Sequence, residues 1–313
     1  MEMVFLGDFI RSRRKELGLS QEKLSEGICE KMSISRMERG VQTPAHNTVI
    51  AILERLGLPN DRYFTLLSKE EQELAALQRE ITSYGMRYDA ELGGEKEAAR
   101  QRAFELLKKL EAMTRQNDRI TQQYILRTKA LIGTPDGAYS IDETLEMLMQ
   151  AIRLTVPRFN LEHINEFLYS MEEIKVINHI AGVYAENGQH KKAVDISGQL
   201  LTYVKDHNQG IIYAGGLIPM VAHNYARELG ILGLYSEAVE AAELGLQVSR
   251  KCGYHKSVAG LLHTIAESSH FLGNDEKSID FYYQAYYYYK GIGNESDRAL
   301  LAEEIHKYLG ISV

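Results

Sequence analysis

Apolar and polar positions alternate along this chain with the period of helices from one end to the other. Leu6, Phe9, Ile10, Arg13 and Leu17 follow the i, i+3, i+4, i+7 spacing of one amphipathic helix, and Gly18 is its stop. Ser20 is the cap of a second helix with Lys23 at its third position and Gln21, Leu24 and Ile28 along one side, and Gly27 allows a close approach between helices. A third helix begins at Cys29 or Glu30. Ile34 and Met37, three apart, point inward there, which pushes Lys31, Met32, Ser35 and Arg36 outward. Gly40 ends it where a positive φ is commonly needed, Pro44 follows, and Val49, Ile50, Ile52, Leu53 and Leu56 mark an apolar helix.

From about Glu70 onward, helical patterns succeed one another with short breaks, and the body aligns on itself. Ala181, Gly188 and Ala193 form one copy of a repeat, Ala226, Gly233 and Ala238 a second, Ala266, Gly273 and Ser278 a third, and Ala130, Gly137 and Asp142 a weaker one. In each, the glycine comes seven residues and the later residue twelve after the first small one, and the copies stand 51, 45 and 40 residues apart. The pattern is similar to the tetratricopeptide repeat, with small residues where paired helices touch and helices longer than the usual 34-residue unit allows. The expected fold is all-α: a five-helix repressor-like helix-turn-helix domain over residues 1–66, then a right-handed tetratricopeptide-like α-solenoid over 67–313. Stacked helix pairs leave a concave face lined by the first helix of each pair.

Composition narrows the function classes. At 313 residues, 44% hydrophobic and 25% charged, the chain has the make-up of an ordinary globular protein. No apolar run is long enough for a membrane span and no secretory pattern opens the chain, so a cytoplasmic protein is expected. Cys29 and Cys252 lie far apart in apolar helical contexts and read as buried thiols. The net charge of −7 is unevenly spread: residues 1–66 carry ten Lys/Arg against nine Asp/Glu, the remainder 26 against 34. Positive potential is confined to the N-terminal part, and an acidic body repels a polyanion elsewhere.

That N-terminal part has the form of a DNA reader. Leu-Gly-Leu-Ser-Gln, Leu-Ser-Glu-Gly-Ile-Cys and Ser-Arg-Met-Glu-Arg-Gly fall in one register across residues 5–64, which resembles the XRE/Cro-type helix-turn-helix family. The resemblance implies that Gln21 touches a phosphate, that Lys31, Met32, Ser35 and Arg36 face base edges, and that an Arg14–Glu38 salt bridge ties the first helix to the third. Chemically, Lys31 or Arg36 can donate to guanine O6/N7 and Met32 can meet a thymine methyl. Arg11, Arg13 and Arg39 are candidate phosphate partners. Glu30 departs from the Ser or Thr common there; a carboxylate can cap the helix but also stands close to phosphates.

In the body, the repeat register places Arg127, Asn178, His223 and His263 three before each marker residue, with Lys175 in the row six before and Arg227 in the row one after. Asn224 lies beside them. An Asn can grip both N–H and C=O of an extended peptide, and Arg127, Lys175 and Arg227 can hold a carboxylate. His179, His223, His263 and His270 come from different helices without metal-site spacing, so no metal and no cofactor are expected. The tyrosine-rich run from Tyr282 to Tyr289 reads as helix packing or a subunit interface. No nucleophile–base pair or phosphate loop is visible, and an enzyme is not expected.

A small reader followed by such a body resembles the RRNPP-type (Rgg/PlcR/PrgX-like) quorum-sensing regulators. The resemblance spans essentially the whole chain. It implies a homodimer that binds double-stranded DNA at a two-fold or direct-repeat operator and whose solenoid takes a short signalling peptide, residues Phe64 to Lys69 carrying the movement between the two parts. The competing expectation is a regulator whose body binds a protein partner.

Overall fold

The computed structural model describes residues 6–42, 44–58, 68–90, 94–133, 138–207 and 216–313. Among the described residues all regular structure is helical. The chain groups into two compact units, Met1–Val183 and Tyr184–Val313.

The first unit opens with α1 (Leu6–Glu16), α2 (Gln21–Ser25), α3 (Lys31–Glu38) and α4 (His46–Arg55). These are four of the five helices expected of the reader; residues 59–67, at the end of that domain, lie outside the described residues, as does most of the Phe64–Lys69 segment. Ile10, Leu24, Ile34, Met37, Val49, Ile52, Leu53 and Leu56 form one buried cluster, contributed by all four helices. Their burial is what holds elements as short as α2, five residues long, which are not stable helices alone. Ser20 accepts the Lys23 N–H at 3.0 Å and caps α2 as the sequence requires.

The unit continues through α5 (Lys69–Ala90), α6 (Gly94–Met113), α7 (Arg119–Gly133), α8 (Ile141–Thr155) and all but the last three residues of α9 (Met171–Glu186). α5 lies against α6, and α7 against α8. Leu74, Leu77, Ile81, Leu106, Leu107 and Leu110 pack together with Ile125 and Ile132. α8 starts at a capping box: Ser140 Oγ accepts the Glu143 N–H while the Glu143 carboxylate accepts that of Ser140. The connection from α8 to α9 is fixed by aromatic packing of Phe159, Phe167 and Tyr169, the last buried with its hydroxyl donating to the Ile164 carbonyl at 2.8 Å.

The second unit holds α10 (His190–His207), α11 (Leu217–Ile231), α12 (Tyr235–Cys252), α13 (Val258–Phe271), α14 (Asp275–Ile292) and α15 (Glu295–Leu309). α11 packs on α12 and α13 on α14 as antiparallel pairs, each joined by a turn whose glycine, Gly233 or Gly273, has φ near +75°. Gly188 takes the same conformation between α9 and α10. Ala226, Ala266, Ala238 and Ser278 are fully buried. A Cβ at Gly245 would stand 2.9 Å from Leu261 and 3.0 Å from Ala222, so a side chain there would crowd the place where three helices meet. The small residues of the repeat therefore mark helix contacts, in tetratricopeptide-like pairs. Gly137 of the weakest copy lies outside the described residues. No helix among the described residues is long and apolar enough to cross a membrane.

Candidate nucleic-acid interface and inner repeat row

α3 presents Lys31, Met32 and Arg36 on its free face, with Met32 55% exposed, while Ile34, Met37 and Glu38 are buried beneath. Ser35 is half-buried. The buried side is fixed by a bidentate pair: Arg14 Nε and Nη2 donate to Glu38 Oε1 and Oε2 at 2.5 and 3.0 Å. The amide of Gln21 donates to the same Oε2 at 2.8 Å, and a further Arg14 N–H reaches the Leu19 carbonyl at 2.7 Å. Burial works to raise the Glu38 pKa, but the hydrogen bonds from Arg14 and Gln21 outweigh it and hold the carboxyl below its ordinary value. Gln21 is thus a brace for the first and third helices, and its second amide hydrogen is what it has left for a phosphate.

The other reader cations differ in how far they are engaged. Arg11 and Arg39 are exposed, the latter donating to the Ser35 carbonyl at 3.2 Å. Arg13 donates to the Leu56 carbonyl at 3.1 Å and pairs with Glu16. Arg36 reaches Gln42 at 3.4 Å. Glu30 occupies the N-cap of α3 but makes no side-chain cap bond, so the turn is held by backbone and by Ile28 and Cys29 against the core. Burial pushes the Cys29 thiol up to about 11, and both cysteines are free.

The reader is joined to α8 and α9 through the end of α4 and the turn between α2 and α3, a relationship no sequence pattern announces. Arg55, the last residue of α4, donates to the Glu26 carbonyl at 2.6 Å, the Thr155 carbonyl at 2.9 Å and Glu173 Oε1 at 2.8 Å. Its ion pair with Glu173 is buried, the two side chains 3% and 1% exposed. Glu54 accepts the Met171 N–H at 2.9 Å, and Arg158 pairs with Glu26 at the rim. Gly27 has φ +74°, and a Cβ there would come within 1.8 Å of the Thr155 oxygen.

Of the inner-row candidates, Arg127, Lys175 and Asn178 belong to the first unit. Arg127 donates through Nε to Glu172, and Lys175 Nζ lies 3.3 Å from the other oxygen of the same carboxylate. Burial works to raise the Glu172 pKa, but the two cations outweigh it and keep it ionised. Asn178 is buried one turn further along the same face of α9. Beside it His179 is half-buried; loss of water around the ring, together with Arg127, drives its pKa down to about 3, and its Nδ1 makes no hydrogen bond.

His223, Asn224, Arg227 and His263 belong to the second unit. The His223 ring fills the space above Gly260, where a Cβ would stand 2.1 Å from Nε2; burial, then Arg227 and His263, push its pKa down to about 4, leaving it neutral. Asn224 stands beside it, half-buried. Arg227 is exposed and pairs with Glu228, whose other oxygen meets His190 Nδ1 at 2.7 Å. His263 Nε2 is 2.6 Å from Glu304; burial works to lower its pKa, but Glu304 outweighs it and raises it. Sequence reasoning missed the carboxylates that answer the row's cations and His263. Glu172 was legible, three residues before Lys175; Glu304 lies 41 residues from His263 and leaves no local signal.

Among the described residues no group of three His, Cys, Asp or Glu side chains is placed to hold a metal ion. In the tyrosine run, Tyr282 is buried, Tyr286, Tyr288 and Tyr289 pack partly buried on the core, and Tyr287 is exposed.

Residues 10–59 match the helix-turn-helix family model. No curated protein matches the chain. Among solved structures, PlcR of Bacillus thuringiensis in complex with the peptide PapR7 and DNA is 18% identical, the match covering 95% of this chain and 98% of that one with a TM-score of 0.60. The apo form of PlcR matches at 16% identity over 95% and 99% of the two chains, with a TM-score of 0.58. With its short α2 and α3 at right register, its buried Ile34 and Met37 and its exposed Lys31 and Arg36, the N-terminal segment is a helix-turn-helix domain of the matched family, and the chain as a whole has the all-helical fold of PlcR.

Proposed function

We propose that this chain is a DNA-binding transcriptional regulator, with residues 1–66 as reader and 67–313 as a repeat domain controlled by a short peptide. The observation that carries the DNA half is the free face of α3: Lys31, Met32 and Arg36 project from a helix immobilised by Ile34, Met37 and the Arg14–Glu38–Gln21 brace. A rigid helix with donors and one apolar tip on its outer side is what major-groove readout requires. Lys31, Met32, Ser35 and Arg36 face base edges in this reading, with Gln21, Arg11, Arg13 and Arg39 on phosphates.

The peptide half is supported by the shared fold with PlcR, whose structure holds a peptide and DNA together, and by the chemistry of the inner row. Arg127, Lys175 and Arg227 suit carboxylates, Asn178 and Asn224 suit peptide backbone, and His223 adds a neutral imidazole beside the Glu304-paired one of His263. The regulator is a cytoplasmic homodimer without enzymatic activity, and two readers on a two-fold axis set the half-site spacing. The competing reading, a protein partner for the body, draws on exposed Ile231, Leu234, Phe271 and Leu272 at the turn ends of the second unit.

Selection of random-sequence duplexes by the full chain, followed by titration at fixed salt, tests the DNA half. Enrichment of a two-half-site sequence whose binding is lost in K31A/R36A supports it; retention of no sequence over background overturns it. Panning a synthetic heptapeptide library tests the other half, with Asn178→Ala as the variant that should lose the retained peptides. Equal retention by both proteins overturns that assignment.

A further inference from the structure

Two neighbouring residues of α9 face opposite ways. Glu172 gives its carboxylate to Arg127, from α7, and to Lys175 at 3.3 Å. Glu173 gives its own to Arg55 of the reader at 2.8 Å and to the Ser170 N–H at 2.5 Å. Just before them, the Met171 N–H is taken by Glu54, also of the reader. The first turn of α9 is therefore held from one side by the cations of the inner row and from the other by the end of α4.

We propose that Glu172 is an internal occupant of the Arg127–Lys175 carboxylate seat, so that an acidic group of the peptide must displace it and, in doing so, loosens the turn that holds the reader. This rests on the peptide reading above and adds the regulation of its site. A ligand carboxylate that takes both cations leaves Glu172 a charge with no partner in a mostly buried position, which is costly. Relief comes from moving the first turn of α9 toward water, and that movement carries Glu173 away from Arg55 and the Met171 N–H away from Glu54. Arg55 keeps its bond to the Thr155 carbonyl of α8, so the reader is freed in its orientation rather than released. The ligand acts through its different affinity for the two positions of the turn.

Hydrogen exchange of the full chain tests the coupling without DNA or peptide. Glu172→Gln removes the charge and keeps the shape. The expected result is at least fivefold faster exchange both at residues 171–175 and at residues 52–58 of the reader, with the buried amides of α1 and the second unit unchanged. Glu97→Gln, which removes a pair with Arg100 within α6, is the control and leaves both segments alone. Acceleration confined to α9, or none at all, overturns the coupling. If E172Q exchanges everywhere and so has not folded, Arg127→Lys carries the same expectation and the same failing result. A heptapeptide library with free C-terminal carboxylates then tests the seat: E172Q should retain at least tenfold more peptide than wild type, and equal retention of a binding fraction overturns Glu172 as competitor. Retention by neither protein counts against the peptide reading itself, while the exchange result still decides the coupling.

Discussion

Glu54 accepts the backbone N–H of Met171, 117 residues away in sequence, at 2.9 Å. Burial pushes the Glu54 carboxyl up to about 7, and Glu172 and Glu173 nearby add to the rise, while that N–H and Lys175 oppose it. A carboxyl whose folded pKa is raised favours folding at low pH, and that contribution is lost as pH climbs from its ordinary value of about 4.5 through about 7. Glu54→Gln keeps an acceptor for Met171 without the charge. It should equal wild type in stability at pH 4 and exceed it at pH 8 by up to about 3 kcal/mol, as read by urea unfolding at the two pH values. A constant offset at both would show that Glu54 does not titrate between them.

The Arg14–Glu38 pair is buried on both sides and shared by Gln21, so removing either partner strands a charge. Arg14→Ala and Glu38→Ala should each destabilise the reader by about 3 kcal/mol, and the double variant should cost less than their sum. Denaturant melts of the three variants measure this. Additive losses would mean the two groups act independently of each other.

His223 is kept neutral by burial against Gly260, with a pKa of about 4. A histidine whose folded pKa is depressed contributes stability that is present above its ordinary value of about 6.5 and is lost as pH falls toward 4. His223→Gln should therefore flatten the acid side of the body's stability profile by about 2 kcal/mol between pH 7 and pH 4. Unfolding followed at pH 4, 5.5 and 7 decides it; parallel profiles for variant and wild type would place His223 outside the acid transition.

Once a preferred duplex is in hand, its contacts can be sorted by salt. Arg11→Ala, on a phosphate, should weaken binding to preferred and random duplexes alike and reduce the dependence of log Kd on log salt by about 1. Arg36→Ala, on a base edge, should cost about 1–3 kcal/mol on the preferred duplex and little on a random one. Fluorescence anisotropy at four salt concentrations separates the two, and identical behaviour of both variants would remove the distinction between them.

Local pattern determined a great deal here. The alternation of Ile34 and Met37 with Lys31, Met32 and Arg36 fixes which side of α3 is buried, because a helix has one period and water expels only the apolar side. The cap at Ser20 and the turn glycines at Gly233 and Gly273 were equally legible, since each is a property of a few consecutive residues. Ala226, Ala238, Ala266 and Ser278 betrayed the helix contacts because only small side chains fit there.

What only the tertiary structure decided is the pairing of charges across long separations. Arg55 finds Glu173 at 118 residues, Glu54 finds the Met171 N–H, and His263 finds Glu304. Nothing in the neighbourhood of Arg55 distinguishes it from a solvated helix-end cation, and nothing near Glu304 marks it as a histidine's partner. A buried charge is tolerated only where the folded chain brings an opposite charge or a backbone donor to it, so its partner is chosen by how the helices pack and not by spacing along the sequence.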